Sequence, residues 1–158
     1  MTRYVIDIEA DSLDATVIWI ACICDVDNDR AIFSFRDAAS FIDFVDLEKD
    51  TFIAHNGIDL DFPVLEKLWN VAIKNKIDTL VLSRLFNPDR SGGHSLGAWG
   101  ERLGYGKIDF NKFDVYSEEM RKYCEQDVYI TVQLYKHLLK EGVDYSKKSI
   151  ELEHAIAD

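Results

Sequence analysis

Asp7 and Glu9 stand two residues apart inside an otherwise apolar run, Tyr4-Val5-Ile6-Asp7-Ile8-Glu9-Ala10. The β-branched and aromatic neighbours predict a buried strand. In a strand, residues i and i+2 point to the same face, so both carboxylates aim into one volume at the edge of the core. Two like charges held there are costly unless a cation joins them. Hard divalent ions such as magnesium and manganese take oxygen ligands. The pair has a chemical use if the rest of the chain brings further carboxylates to the same place.

The pattern that follows predicts an α/β fold. Residues 16–24 are rich in Val, Ile and Trp and read as a second strand; 25–29 form a hairpin turn and 31–35 return as a third strand. Asp37 caps a helix with Phe41, Ile42, Phe44 and Val45 at helical spacing. A short strand, 51–54, ends in His55-Asn56-Gly57, where the glycine is expected to supply a positive φ. A helix from 60 or 61 to 71 carries Pro63 in its first turn. Residues 77–80 begin as strand and continue with helical spacing to Leu85; 87–93 form a loop, Ser95 caps a short helix, and 104–115 are irregular. The last long helix starts at Ser117 with two glutamates in its first turn and stops before Gly142. Three hairpin-linked strands followed by a helix crossover imply a mixed central sheet flanked by helices. Residues 1–142 make one domain, and 143–158 a polar helical tail.

Composition narrows the chemistry. With 158 residues, 47% hydrophobic, 30% charged and only 8 Gly and 2 Pro, the chain has enough apolar surface for a core and is not a disordered polymer. No apolar run reaches membrane-spanning length and no signal region opens the chain, so the expected location is cytoplasmic, without a membrane partner. Cys22, Cys24 and Cys124 fit no disulfide framework or zinc spacing and read as buried thiols. A net charge of −11 argues against gripping nucleic acid through its phosphates with Lys and Arg. It leaves room for an enzyme that meets a polyanion through metal ions.

Two later places offer acids. Asp61 follows the His55-Asn56-Gly57 turn, at the end of a buried strand where α/β folds build their sites. Tyr123 and Asp127 lie i, i+4 on one face of the last helix. Taken singly, each has an ordinary explanation: a solvated acidic face, a helix cap, a surface pair, a turn histidine. Taken together and in order, Asp7, Glu9, Asp61, Tyr123 and Asp127 resemble the three motifs of the DEDD exonuclease superfamily in its tyrosine subclass. Ile77-Asp78-Thr79-Leu80-Val81-Leu82-Ser83-Arg84-Leu85 and Gly93-His94-Ser95-Leu96-Gly97-Ala98-Trp99-Gly100 resemble the proofreading exonuclease domain of phage family-A DNA polymerases.

That resemblance implies an RNase H-like fold and two-metal-ion hydrolysis of single-stranded or frayed DNA from its 3′ end, releasing 5′-monophosphates. It implies that Asp7, Glu9, Asp61 and Asp127 hold two divalent cations, Mg2+ or Mn2+. It implies that Tyr123, with a reference pKa of about 10, orients the attacking water instead of acting as a base. Leu13 sits where these domains carry a leucine that wedges against the terminal base, and Asn56, beside His55, where they contact the terminal nucleotide. Expected partners are DNA 3′ ends and a DNA polymerase, separate or following a junction that residues 151–154 resemble, or further replication proteins; for a phage-encoded chain the place is the host cytoplasm. Loops 87–93 and 104–115 are short for the family, which implies fewer contacts to DNA. A 3′-end ribonuclease of the RNase D kind and an inactive module of the same fold remain as rival readings.

The charge balance predicts weak binding of single-stranded oligonucleotides by the isolated chain. Fluorescence anisotropy in a salt titration checks this: affinity should be low and fall steeply as salt rises.

Overall fold

In a computed structural model, which describes residues 1–145 and 147–157, the acid-bearing strand lies at the centre of the sheet. This strand, β1 (Arg3–Ala10), is followed by β2 (Ile18–Asp25), β3 (Ile32–Phe35), α1 (Ala38–Phe44), β4 (Thr51–Ala54), α2 (Asp61–Trp69) and β5 (Asn75–Asp78). Four more helices follow: α3 (Thr79–Phe86), α4 (Leu96–Leu103), α5 (Glu118–Glu141) and α6 (Lys147–Ala157). The sheet order is β3-β2-β1-β4-β5. β1 and β2, and β2 and β3, pair antiparallel through hairpin connections; β1 and β4, and β4 and β5, pair parallel across helical crossovers. Mixed pairing follows from those two kinds of connection.

Alternation along β1 sends its residues to two cores. Val5 joins the apolar cluster beneath α5 with Cys22, Cys124, Val128 and Leu134. Ile6 joins the opposite cluster, with Phe41, Phe52, Phe62 and Leu65 of the α1–α2 side. Asp7 and Glu9 share Val5's face by the period of two and so look toward α5. The β1–β4 pairing ends at Val5↔Ile53, whereas β1 runs on to Ala10. The outer half of β1 is thereby left open on its β4 side. A register shift between Glu9 and Ala10 then turns the chain away from β2.

Several local expectations are corrected. Asn56, not Gly57, takes the positive φ, at 61°. Gly57 is required for a different reason: a Cβ there would lie 2.5 Å from Ala54 Cβ and 2.8 Å from the Phe62 ring. α2 stops at Trp69, because Asn70 adopts the left-handed conformation and closes it, so Val71 lies outside. Only Phe41 of α1 is buried; Ile42 and Phe44 stay partly in solvent. The strand before α3 begins at Asn75, since pairing with β4 sets its start where hydrophobicity does not. α6 packs on α3, and His154 Nε2 accepts a 2.9 Å hydrogen bond from the Asp78 amide. No helix of the described residues is long and apolar enough to cross a membrane.

Asp78 is the hinge of this half. Buried at 2% exposure, it accepts from the amides of Asn56 (2.8 Å), Ile58 (3.2 Å) and Leu80 (2.9 Å), so one side chain caps α3 and shapes the 55–58 turn. Asp78→Ala strands three amide donors and should lower stability by about 3 kcal/mol. Urea unfolding monitored by circular dichroism measures this, with Asp78→Asn retaining part of the loss.

Candidate metal centre

The open edge of β1 is where the distant acids attach. The Ile8 amide, without a β4 partner, donates to Asp61 Oδ2 at 3.1 Å. Asp61 is brought there by a tight turn: the Leu60 amide donates to the Asn56 carbonyl at 3.1 Å and the Phe62 amide to the Gly57 carbonyl at 2.8 Å. From the other side, α5 lays Met120, Cys124, Asp127, Val128 and Thr131 along its buried face at the spacing of a helix stripe. Asp127, whose direction spacing alone left open, therefore points inward, next to β1. Asp7, Glu9, Asp61, Tyr123 and Asp127 line one cavity of about 810 Å³, together with Leu13, His55 and Asn56. Three stretches far apart in the chain thus meet at the carboxyl ends of β1 and β4.

The acids strain against one another. Burial, then Glu9, Asp61 and Asp127, push the Asp7 carboxyl well above the carboxylate range, even though it opens to the cavity. Burial raises Glu9 to about 8 and Asp61 to about 7, the latter in spite of the Ile8 amide, which favours its ionised form. Asp127 is raised by burial, with Lys107 acting against the shift. Asp127 Oδ1 is buried without a hydrogen-bond partner among the described residues. An orphaned carboxylate oxygen beside three further acids is the donor set that a hard divalent cation satisfies.

A thiol also stands beside the acids. Ligand atoms of Asp7, Glu9 and Cys124 all lie within 4.8 Å of one another. Burial, reinforced by Cys22, pushes the Cys124 thiol well up. It stays protonated and approaches the Asp7 carbonyl at 3.4 Å and Oδ2 at 3.5 Å as a weak donor. The i, i+3 spacing of Cys124 and Asp127 on one helix face was the available signal.

The remaining walls are less symmetrical. Leu13 is 86% exposed at the tip of a turn stapled by Asp11, whose carboxylate accepts from the amides of Thr16 (2.8 Å) and Val17 (3.1 Å). Asn56 lines the cavity with a side-chain amide that makes no hydrogen bond among the described residues. His55 spends both ring nitrogens within the protein, on Thr79 Oγ1 and the His94 carbonyl, each at 2.9 Å. Burial lowers its pKa to about 4, so it is a neutral wall of the cavity. Arg84, Lys107 and Phe113 also line it. Lys107 and Phe113 come from the irregular 104–115 segment, which shows no periodicity for a sequence reading to use.

Folded Glu9 and Asp61 bind protons up to about pH 8 and 7, whereas unfolded carboxyls lose theirs near pH 4. Their protonated forms stabilise the fold fully below pH 4, and that contribution is lost as pH rises through 7 and 8. His55, with its folded pKa lowered to about 4, acts in the opposite sense below about pH 6.5. In EDTA, melting temperature should fall between about pH 6.5 and pH 8, and saturating Mn2+ should reverse most of the fall. Differential scanning calorimetry with and without the metal checks both.

No protein-family model matches the chain. It is 30% identical to the DNA-directed DNA polymerase of Escherichia phage T7 over 184 aligned positions, covering 85% of this chain and 26% of that protein. The chain thus spans about a quarter of the length of that curated relative. Its fold matches Brucella melitensis NrnC with a TM-score of 0.79 at 18% identity, covering 99% of this chain and 82% of that one; NrnC has also been solved with bound Mg2+. It matches Escherichia coli RNase D, an exoribonuclease involved in structured RNA processing, with a TM-score of 0.74 at 14% identity, covering 99% and 44% of the two chains. The mixed five-stranded sheet flanked by helices is thus the RNase H-like fold shared with these nuclease structures, and in sequence the chain is similar to part of a phage DNA polymerase.

Proposed function

We propose that this domain removes nucleotides one at a time from the 3′ end of single-stranded or frayed DNA, as a proofreading nuclease of the tyrosine subclass. The observation that carries the reading is the convergence of four carboxylates, from β1, α2 and α5, with Tyr123 in one open cavity. DNA is preferred over RNA because the sequence likeness, at 30% identity, is to a DNA polymerase, whereas the likeness to RNase D is one of fold.

Asp7, Glu9, Asp61 and Asp127 are the residues to hold two divalent cations, Mg2+ or Mn2+. Asp7 is the acid most exposed to its neighbours' charge, from Glu9, Asp61 and Asp127, and would gain most from a bound cation. Bound there, the cations supply charge stabilisation for the attacking and departing oxygens of an in-line displacement. The water oxygen bonds to phosphorus, the bond from phosphorus to the 3′ oxygen of the penultimate nucleotide breaks, and one proton of the water passes through solvent to that oxygen, which becomes the new 3′ hydroxyl. Tyr123 is neutral at working pH, because burial and Asp127 raise its pKa further. Its phenol orients the water and does not remove the proton. Phe110 and Phe113, with ring centroids 5.5 and 6.2 Å from that of Tyr123, hold the ring. Leu13 offers an apolar face at the mouth of the cavity and Asn56 a free amide, the two groups that would seat the terminal nucleotide. A DNA polymerase, separate or in the same polypeptide, would deliver frayed ends that this acidic surface does not capture by itself.

A timed digest of 5′-labelled and 3′-labelled DNA and RNA strands, with Mg2+, Mn2+ or EDTA, tests the reading. DNA should shorten from its 3′ end only with metal, and preferential loss of RNA would move the assignment to the RNase D kind. Asp7→Ala should lower the rate by about 10³-fold or more and Tyr123→Phe by about 10²-fold. Unchanged activity of Asp7→Ala would refute the metal assignment.

A further inference from the structure

We propose that Lys107 is a catalytic residue that gives its ammonium to the scissile phosphate, waiting meanwhile on Asp127 and Tyr123. The proposal rests on the nuclease reading above. Lys107 Nζ lies 3.2 Å from Asp127 Oδ2 and 3.4 Å from the Tyr123 hydroxyl, and 5.2 Å from the centre of the Tyr123 ring. Among the described residues, no other Lys or Arg side chain forms an ion pair or hydrogen bond with any of the four acids.

Its place is built. The Gln126 side chain, one residue before Asp127, donates at 2.8 Å to the Gly106 carbonyl, one residue before Lys107. The Tyr105 amide donates to the Gly100 carbonyl at 2.7 Å and ties the same loop to α4. The loop is thus registered on α5 at the level of the acid. The side chain is nevertheless 31% exposed toward the cavity, against 6% for Asp127, and its four-carbon stem leaves the ammonium able to change partner.

Charge indicates which partner comes next. Two divalent cations held by the four carboxylates would bring four positive charges, and Asp127, with one oxygen orphaned and the other on Lys107, would then be satisfied without the ammonium. The ammonium is released within reach of the Tyr123 hydroxyl, where the water is to be oriented and hence beside the phosphorus. A phosphodiester brings negative charge to that spot, and an ammonium aimed at developing charge stabilises the transition state.

The test compares K107M and K107R with the wild type. In Ca2+, equilibrium binding of a single-stranded DNA oligonucleotide is followed against salt; in Mg2+ and Mn2+, kcat and KM are measured; melting in EDTA checks folding. K107M should reduce the salt slope of binding by about one and kcat by about 10²-fold, with KM moving less. K107R should recover the slope and part of the rate. A K107M protein with the wild-type slope overturns the proposal whatever its rate. A reduced slope with unchanged kcat also overturns it, because the phosphate contacted is then not the scissile one. Should K107M fail to fold, a K107R protein that keeps the wild-type slope and at least a tenth of kcat supports the contact, and one that loses both overturns it. If the wild type degrades neither DNA nor RNA, the nuclease reading fails separately, while the binding slope still tests the phosphate contact.

Discussion

One backbone amide joins the two halves of the site. β1 outruns its parallel neighbour after Val5, and the Ile8 N–H that would have entered a ladder donates to Asp61 instead. That hydrogen bond favours the ionised form of Asp61 and fixes the start of α2 against the strand that carries Asp7 and Glu9. The unpaired half-strand is therefore a structural requirement, because a fully paired β1 would offer Asp61 no donor. The cavity exists because β4 stops at Ala54 while β1 continues to Ala10.

The arrangement sets local electrostatics against the global charge. The molecule carries a net charge of −11, and it buries four of its acids together, where the neighbouring carboxylates push Asp7 up and Asp127 pushes up Glu9 and Asp61. Burial is the leading cause at every one of the four, so the folded core itself generates the demand for cations. Lys107 answers part of that demand from a loop, and Cys124 remains a protonated neighbour. A site with hard oxygen donors and a buried orphan oxygen suits hard divalent ions.

Much of the scaffold was legible because its signals are local. Asp37, Ser95 and Ser117 stand at helix starts in the sequence and accept from the amides of Ser40, Ala98 and Met120 respectively. The apolar run 51–54 forms β4. Errors fell where a contact between elements overrides a local preference. Asn56 adopts the positive φ of the 55–57 turn, while Gly57 is needed because Ala54 and Phe62 of the next helix leave no room for a side chain. Ile42 and Phe44 fall at helical spacing with Phe41, but α1 has only seven residues and buries only Phe41.

The sequence by itself determined that Asp7 and Glu9 share a face and that Tyr123 and Asp127 share another, because strand and helix periodicities are properties of a single segment. It also determined, through the order of its motifs, which superfamily the chain resembles. Only the tertiary structure decided that Asp127 turns inward, that Cys124 stands beside Asp7, and that the irregular 104–115 segment lays Lys107 across the acids. Those are relations between segments more than ten residues apart, set by helix packing and by side-chain to backbone bonds such as Gln126 to Gly106, and no periodicity within one segment encodes them.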